Sequence, residues 1–178
     1  MISSACSSDI QVREAEQGEW QAIVDLTVAA YSQYEAAADS KFWQQYQANI
    51  KSTILSSTDI SRLVAVKNGE ILASAIYCFP AKKVMGGRVV SNAYPEMRLL
   101  SVSPSHRNEG LGTVLIDACE RLARESGYSA ITLHTTQLMT VARNMYERRG
   151  YVRFEEIDFE PAPGFLVWGY IKGLDSNE

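Results

Sequence analysis

A mixed, mostly antiparallel sheet of six or seven strands, layered with about four helices in an α/β (α+β) arrangement, is the architecture this sequence predicts. Three observations lead there. The apolar residues change period from two to about 3.6 and back along the chain, in the order β-α-α-β-β-(β)-α-β-α-β-β. Strands and helices alternate only in the second half, which implies one parallel pair inside an otherwise antiparallel sheet. An Asn68-Gly69 pair between two apolar runs is a strong hairpin signal.

Ile10 to Ala15 alternates apolar and polar and reads as a short first strand. Glu19 to Tyr34 carries Trp20, Ile23, Val24, Thr27 and Ala30 or Tyr31 at helical spacing. Asp39 can cap a second helix, because its carboxylate can accept a free first-turn N–H; Phe42, Trp43, Tyr46, Ile50 and Ile54 then form one stripe. Arg62 to Val66 and Ile71 to Phe79 flank the Asn-Gly turn as strands, and Pro80 ends the second. The segment 81–95 is either a loop or a hairpin with Gly86-Gly87 at its tip, joining Lys82–Met85 to Arg88–Ser91.

Glu96 to Val102 is a dense apolar strand stopped by Pro104. Leu99 and Leu100 are adjacent and break alternation, as a bulge would, although a strand buried on both faces gives the same pattern. Gly110 to Ser126 is a helix with Leu111, Val114, Leu115, Ala118, Leu122 and Ala123 facing the core, and Gly127 stops it. Ser129 to Leu133 is a strand. Thr136 or Thr140 starts the next helix, with Leu138, Val141, Ala142 and Met145 inward and Gly150 at its end. Tyr151 to Phe159 and Phe165 to Ile171 are the last strands, joined by a turn over Pro161 to Gly164.

The 178 residues are read as a single domain, 1–178, large enough to bury a core without staples. A hydrophobic fraction of 46% is that of a globular chain. A net charge of -4 argues against broad nucleic-acid binding, which needs a basic face. Cys6, Cys78 and Cys119 are odd in number and far apart, so neither a disulfide framework nor a structural zinc site is expected. The start MISSACSSDIQVREAE lacks a basic region followed by an apolar core, and no apolar run is long enough to cross a membrane. A cytoplasmic protein without membrane contact is the expectation.

The stretch RNEGLGTV, Arg107 to Val114, joins a strand to a helix. A helix start offers unpaired N–H groups and partial positive charge, where a phosphate docks if the backbone can come close. Gly110 and Gly112 remove the Cβ atoms that would hold phosphate oxygens away, Asn108 and Glu109 lend backbone N–H groups, and Arg107 adds a charged fork. The reading is a cradle for a phosphate or pyrophosphate. Two glycines alone also make a tight turn. A Walker loop is excluded by the spacing and by the missing Lys-Ser/Thr, and Leu115 spoils a dinucleotide GxGxxG.

Arg-x-x-Gly-x-Gly, after a strand ending Val102-Ser103-Pro104 and before an amphipathic helix, resembles the acetyl-CoA pyrophosphate loop of the GNAT family of N-acetyltransferases. Ala142 to Tyr151, ARNMYERRGY, is similar to that family's helix with A-x-x-Φ-Y-x-x-x-G-Φ. The resemblance covers 96–154 and implies the GNAT acyl-CoA N-acyltransferase fold. It also implies an acetyl-CoA-dependent N-acetyltransferase acting by direct attack of a primary amine, of a small molecule or a peptide, on the thioester. Cofactor contacts would fall on Leu100, Ser101, Val102, Arg107, Asn108, Glu109, Gly110, Leu111, Gly112, Thr113 and Arg143. Met139 stands where the family often has an asparagine that bonds the pantetheine arm. The same motifs would also fit a catalytically silent CoA-binding module, or an acyltransferase using another acyl-CoA. Dimers are common in such families, so a homodimer is compatible with the resemblance.

Glu96, eleven positions before Arg107, matches the general base of some family members; without the resemblance it reads as a strand-end carboxylate paired with Arg98 or water. Tyr146 matches the tyrosine near the sulfur, which can protonate the leaving thiolate. His106 and His134 read as residues with local bonds, and no metal site is expected. For the acceptor, Tyr31, Tyr34, Glu35 and Tyr94, with Glu156 and Asp158, supply aromatic walls and carboxylates suited to an amine.

Overall fold

The computed structural model describes residues 10–80, 82–85 and 88–174. The elements are β1 (Gln11–Glu14), α1 (Trp20–Tyr31), α2 (Ser40–Ser56), β2 (Ile60–Lys67), β3 (Glu70–Cys78), β4 (Lys82–Met85), β5 (Arg88–Ser91), β6 (Glu96–Val102), α3 (Leu111–Glu125), β7 (Ala130–Thr135), α4 (Thr140–Arg148), β8 (Val152–Arg153), β9 (Phe159–Ala162) and β10 (Phe165–Gly173). The main sheet has eight strands in the order β1-β2-β3-β6-β7-β10-β8, with β9 beside β10. Among the described residues only β6 and β7 run parallel, joined by α3, as the βαβ pattern requires.

Alternation along the central strands builds two cores. Leu63 and Ala65 of β2, with Ala73, Ala75 and Tyr77 of β3, meet Leu111, Leu115, Ile116 and Cys119 of α3. The opposite faces, Val64, Val66, Ile76 and Cys78, meet Ile23 and Val24 of α1 and Ile50 and Ile54 of α2. Full burial of each such aliphatic side chain contributes roughly 1.5–3 kcal/mol relative to exposure. Asp39 caps α2, its side chain accepting the Phe42 N–H at 2.8 Å.

Several expectations need correction. The helical spacing runs to Tyr34, but α1 stops at Tyr31 and tightens into a 3₁₀ turn over Ser32–Ala37. The Ser32 hydroxyl and Gln33 amide donate to the carbonyls of Ala29 and Ala30, occupying the helix end. The single strand expected over Tyr151–Phe159 is broken into β8, a 3₁₀ turn over Glu155–Ile157 and the start of β9. Arg153 and Asp158, paired at 2.7 Å, close that turn. Pro161 and Ala162, expected in the turn, belong to β9. On α4 Tyr146 is buried and Ala142 and Met145 pack partly against the core, whereas Leu138, just ahead of the helix, and Val141, expected inward, are 44% and 83% exposed. The segment 81–95 does contain a hairpin, β4 with β5; its Gly86-Gly87 tip lies outside the described residues.

Candidate active site

The sheet opens at β6. Parallel pairing with β7 holds only at Glu96–Thr132 and Met97–Leu133. On the other side, β6 slips against β3: Ile76 faces Arg98 but Ser74 faces Ser101, so three steps on β6 match two on β3. The extra residue lies at the Leu99-Leu100 pair, and Leu99 takes a left-handed φ of 50°. A leucine accepts that strain only when its surroundings impose it. Here the Ser101 hydroxyl donates to the Leu99 carbonyl at 2.9 Å and the Tyr31 hydroxyl approaches the Leu100 carbonyl at 3.4 Å.

Just beyond β6, Gly110 caps α3 with φ of 81°, and no side chain caps that helix. The first helical bond runs from Val114 N–H to the Gly110 carbonyl, which leaves the N–H groups of Leu111, Gly112 and Thr113 without an intrahelical acceptor. Leu111 buries its side chain in the core, so only its backbone can serve a ligand. A Cβ on Gly112 would meet nothing nearer than Val102 Cγ2 at 3.8 Å. The fold therefore does not demand glycine at 112, whereas a group docking on the helix start would. Asn108, Glu109 and Thr113 are exposed. Arg107 reaches back to α1, donating to the Ala30 carbonyl at 3.2 Å and to Gln33 at 3.3 Å. Arg143 lies with its guanidinium 5.3 Å from the Trp168 ring.

Parallel register puts Glu96 beside Thr132, and His134, two residues on, points to the same side of the sheet. The Glu96 carboxylate lies 2.7 Å from His134 Nδ1, with side-chain exposures of 5% and 11%. The other ring nitrogen, Nε2, lies 2.8 Å from the Ile157 carbonyl. A carbonyl only accepts, so Nε2 carries a proton. The contact at Nδ1 needs a second one, on the imidazole or on the carboxyl. In this geometry the pair thus holds two protons and no net charge. Arg98 Nε sits 3.7 Å from the same Glu96 oxygen, beyond hydrogen-bond range.

These groups line a cavity of about 610 Å³ between the opened sheet, α2 and the β9–β10 hairpin. Of the acceptor candidates, Tyr31 and Tyr34 line it; Glu35 and Tyr94 do not, and Glu35 is exposed in the 3₁₀ turn. Glu156 is exposed outside the lining. Asp158 is taken up structurally: burial pushes its carboxyl up, but Arg153 and the Gly169 N–H outweigh burial and hold it low. Burial raises the Tyr31 phenol well above the ordinary tyrosine range, helped by the nearby phenols of Tyr46, Tyr146 and Tyr34 and opposed by Arg98. Tyr146 is buried on α4 against Tyr151, ring centroids 5.8 Å apart, and burial pushes its phenol up as well. Among the described residues no three His, Cys, Asp or Glu side chains cluster to hold a metal, and no helix is long and apolar enough to cross a membrane.

Sequence reasoning underrated His134 and Arg98. Strand parity was the available signal for Arg98, which shares its face with Glu96. His134 needed the β6–β7 register, which pairs residues 36 positions apart.

Residues 20–151 match the family model described as the acetyltransferase (GNAT) family. A Bacillus subtilis protein described as an acetyltransferase is 39% identical over 73 residues, 40% of this chain and 48% of that protein. N-acetyltransferase camello of Xenopus tropicalis is 26% identical over 123 residues, 68% of this chain and 51% of that one. The chain spans about half the length of the curated relatives it matches. Among solved structures, the PaiA N-acetyltransferase of Thermoplasma acidophilum in complex with coenzyme A superposes with a TM-score of 0.72 at 14% identity, over 93% of this chain and 99% of that one. A Brucella melitensis acetyltransferase in complex with acetyl-CoA gives 0.63 at 17%, over 96% and 92%. At these identities the likeness establishes the fold.

Proposed function

The chain belongs to the acetyltransferase (GNAT) family, and from that premise we propose that it transfers an acetyl group from acetyl-CoA to a primary amine of a small molecule or peptide. The observation that carries this reading is that β6, bulged at Leu99-Leu100, holds Glu96 of the Glu96–His134 pair at its start and leads to an uncapped helix start beyond its end.

Acetyl-CoA supplies an activated acetyl thioester. Its pyrophosphate fits the free N–H groups of Leu111, Gly112 and Thr113, with Asn108 and Glu109 adding backbone donors and Arg107 swinging over from Ala30. Arg143 lies on α4, within the family motif. The backbone of Leu100, Ser101 and Val102, displaced by the bulge, can pair with the pantetheine arm and offer an N–H to the thioester oxygen. A free amine has a pKa near ~10, so an ammonium must lose a proton before it attacks. The Glu96–His134 pair accepts that proton from its one-proton state, in which the Nδ1 lone pair faces the carboxylate unbridged. The Ile157 carbonyl fixes the tautomer that makes this work. As the new N–C bond forms and the C–S bond breaks, Tyr146 donates a hydrogen bond to the sulfur. Its raised pKa suits hydrogen-bond donation better than complete proton transfer.

Calorimetry with acetyl-CoA, followed by thiol release across an amine panel, tests the function; absence of binding at high micromolar concentration refutes it. Glu96→Gln keeps a donor to Nδ1 of neutral His134 and so preserves the local structure. It should lower kcat by about 100-fold, within the usual range for a general base. An unchanged pH–rate profile would remove Glu96 from the mechanism.

A further inference from the structure

The cavity has a charge that the proposed reaction does not use. Among its described lining residues the charged or ionisable acid–base groups are Asp39, Glu96, Arg98 and His134. Asp39 is exposed and spends an oxygen on the Phe42 N–H. Glu96 is held by His134 at 2.7 Å and takes up the amine's proton together with it. Arg98 is a permanent cation whose side chain is 33% exposed and which also engages the Cys78 thiol. Its nearest described carboxylate oxygen, 3.7 Å away, is the one already held by His134 at 2.7 Å. A guanidinium has five N–H donors, more than these contacts occupy, and its fork geometry matches a carboxylate.

Resting on the acetyltransferase reading, we propose that the acceptor is an α- or β-amino acid with an aromatic or bulky apolar side chain, its carboxylate bound by Arg98 and its amine delivered to Glu96 and His134. Spacing supports this. Arg98 and Glu96 lie side by side, so the groups they take must sit on the same or adjacent carbons. Phe42, Trp43, Tyr46, Phe159 and Phe165 form the wall that receives the side chain. Phe42 and Phe165 meet across the mouth with ring centroids 5.0 Å apart. Polyamines, with several cations and no anion, fit such a site badly. So does a lysine side chain, which has no carboxylate near its amine.

The test compares L-phenylalanine, L-phenylalaninamide, 2-phenylethylamine and spermidine as acceptors, by thiol release from acetyl-CoA. L-Phenylalanine should exceed 2-phenylethylamine in kcat/KM by about 100-fold, as expected when a buried charge partner is lost. Arg98→Gln should erase that preference, bringing the ratio near one. Amines without a carboxylate turning over as well as the amino acid would overturn the proposal while leaving the acetyltransferase reading intact. Calorimetry of N-acetyl-L-phenylalanine with the CoA-saturated wild-type protein decides the matter without turnover and without a variant. Binding that vanishes for N-acetyl-2-phenylethylamine supports the carboxylate site, whereas equal binding, or none of either, rejects it.

Discussion

Gly169 on β10 lies against the turn that orients His134. A Cβ added there would stand 2.2 Å from Ile157 Cγ1, 2.6 Å from the Phe154 carbonyl oxygen and 2.9 Å from Ile157 Cδ1. No real Cβ sits at such distances, and the carbonyl is backbone, so Gly169→Ala must move the turn itself. That movement strains two bonds that close the turn, Phe154 N–H to the Gly169 carbonyl at 2.9 Å and Gly169 N–H to Asp158 at 2.7 Å. Overpacking of this kind costs about 1–3 kcal/mol. With backbone involved, the upper end applies, about 3 kcal/mol. For a domain of this size that corresponds to a Tm lower by roughly 6–12 °C. Thermal unfolding followed by circular dichroism reads the shift. Ile157→Ala removes two of the three close atoms, so the double variant should be less destabilised than the sum of the singles. The Ile157 carbonyl accepts from His134 Nε2, so kcat should also fall at temperatures where the variant is folded. A Tm within about 2 °C of wild type, with additive singles, would refute the close approach.

Gly112→Ala should weaken CoA binding at least about 10-fold with little change in Tm, because the fold has room for the Cβ but a docked pyrophosphate does not; unaltered calorimetric affinity would refute the cradle. Tyr146→Phe should lower kcat about 10- to 100-fold with CoA affinity retained, and full activity would reduce the tyrosine to packing. Glu19 is held at about 2 by its hydrogen bond to Arg13, with the Glu16 N–H assisting. Its folded pKa is below its ordinary value of 4.5, so its contribution is present above pH 4.5 and is lost as pH falls toward 2. Glu19→Gln should flatten that acid limb in urea titrations at stepped pH, leaving stability at pH 7 slightly reduced; an unchanged limb would mean that the Arg13 pair contributes nothing.

Local pattern carried much of the fold. Period, capping and turn chemistry act over a few residues, so Asp39 as a cap, the Asn68-Gly69 hairpin and the parallel β6–α3–β7 unit were legible. The bulge showed itself as two adjacent leucines, since a break in alternation is a local event. The fracture of the last strands was hidden: the Arg153–Asp158 pair and the Gly169 approach depend on contacts across the sheet. Val141 misled because apolar character on a short helix does not say which of two neighbours faces inward.

For the candidate site, the sequence by itself pointed to the glycine loop, Glu96 and Tyr146, because each matches a family pattern with fixed spacing along the chain. Only the tertiary structure decided that Glu96 meets His134, that His134 is locked by the Ile157 carbonyl, and that Arg98 turns its charge into an aromatic cavity. Those relations join residues 38 and 23 positions apart. They arise from strand register and from where the sheet opens, quantities that no local pattern of residues encodes.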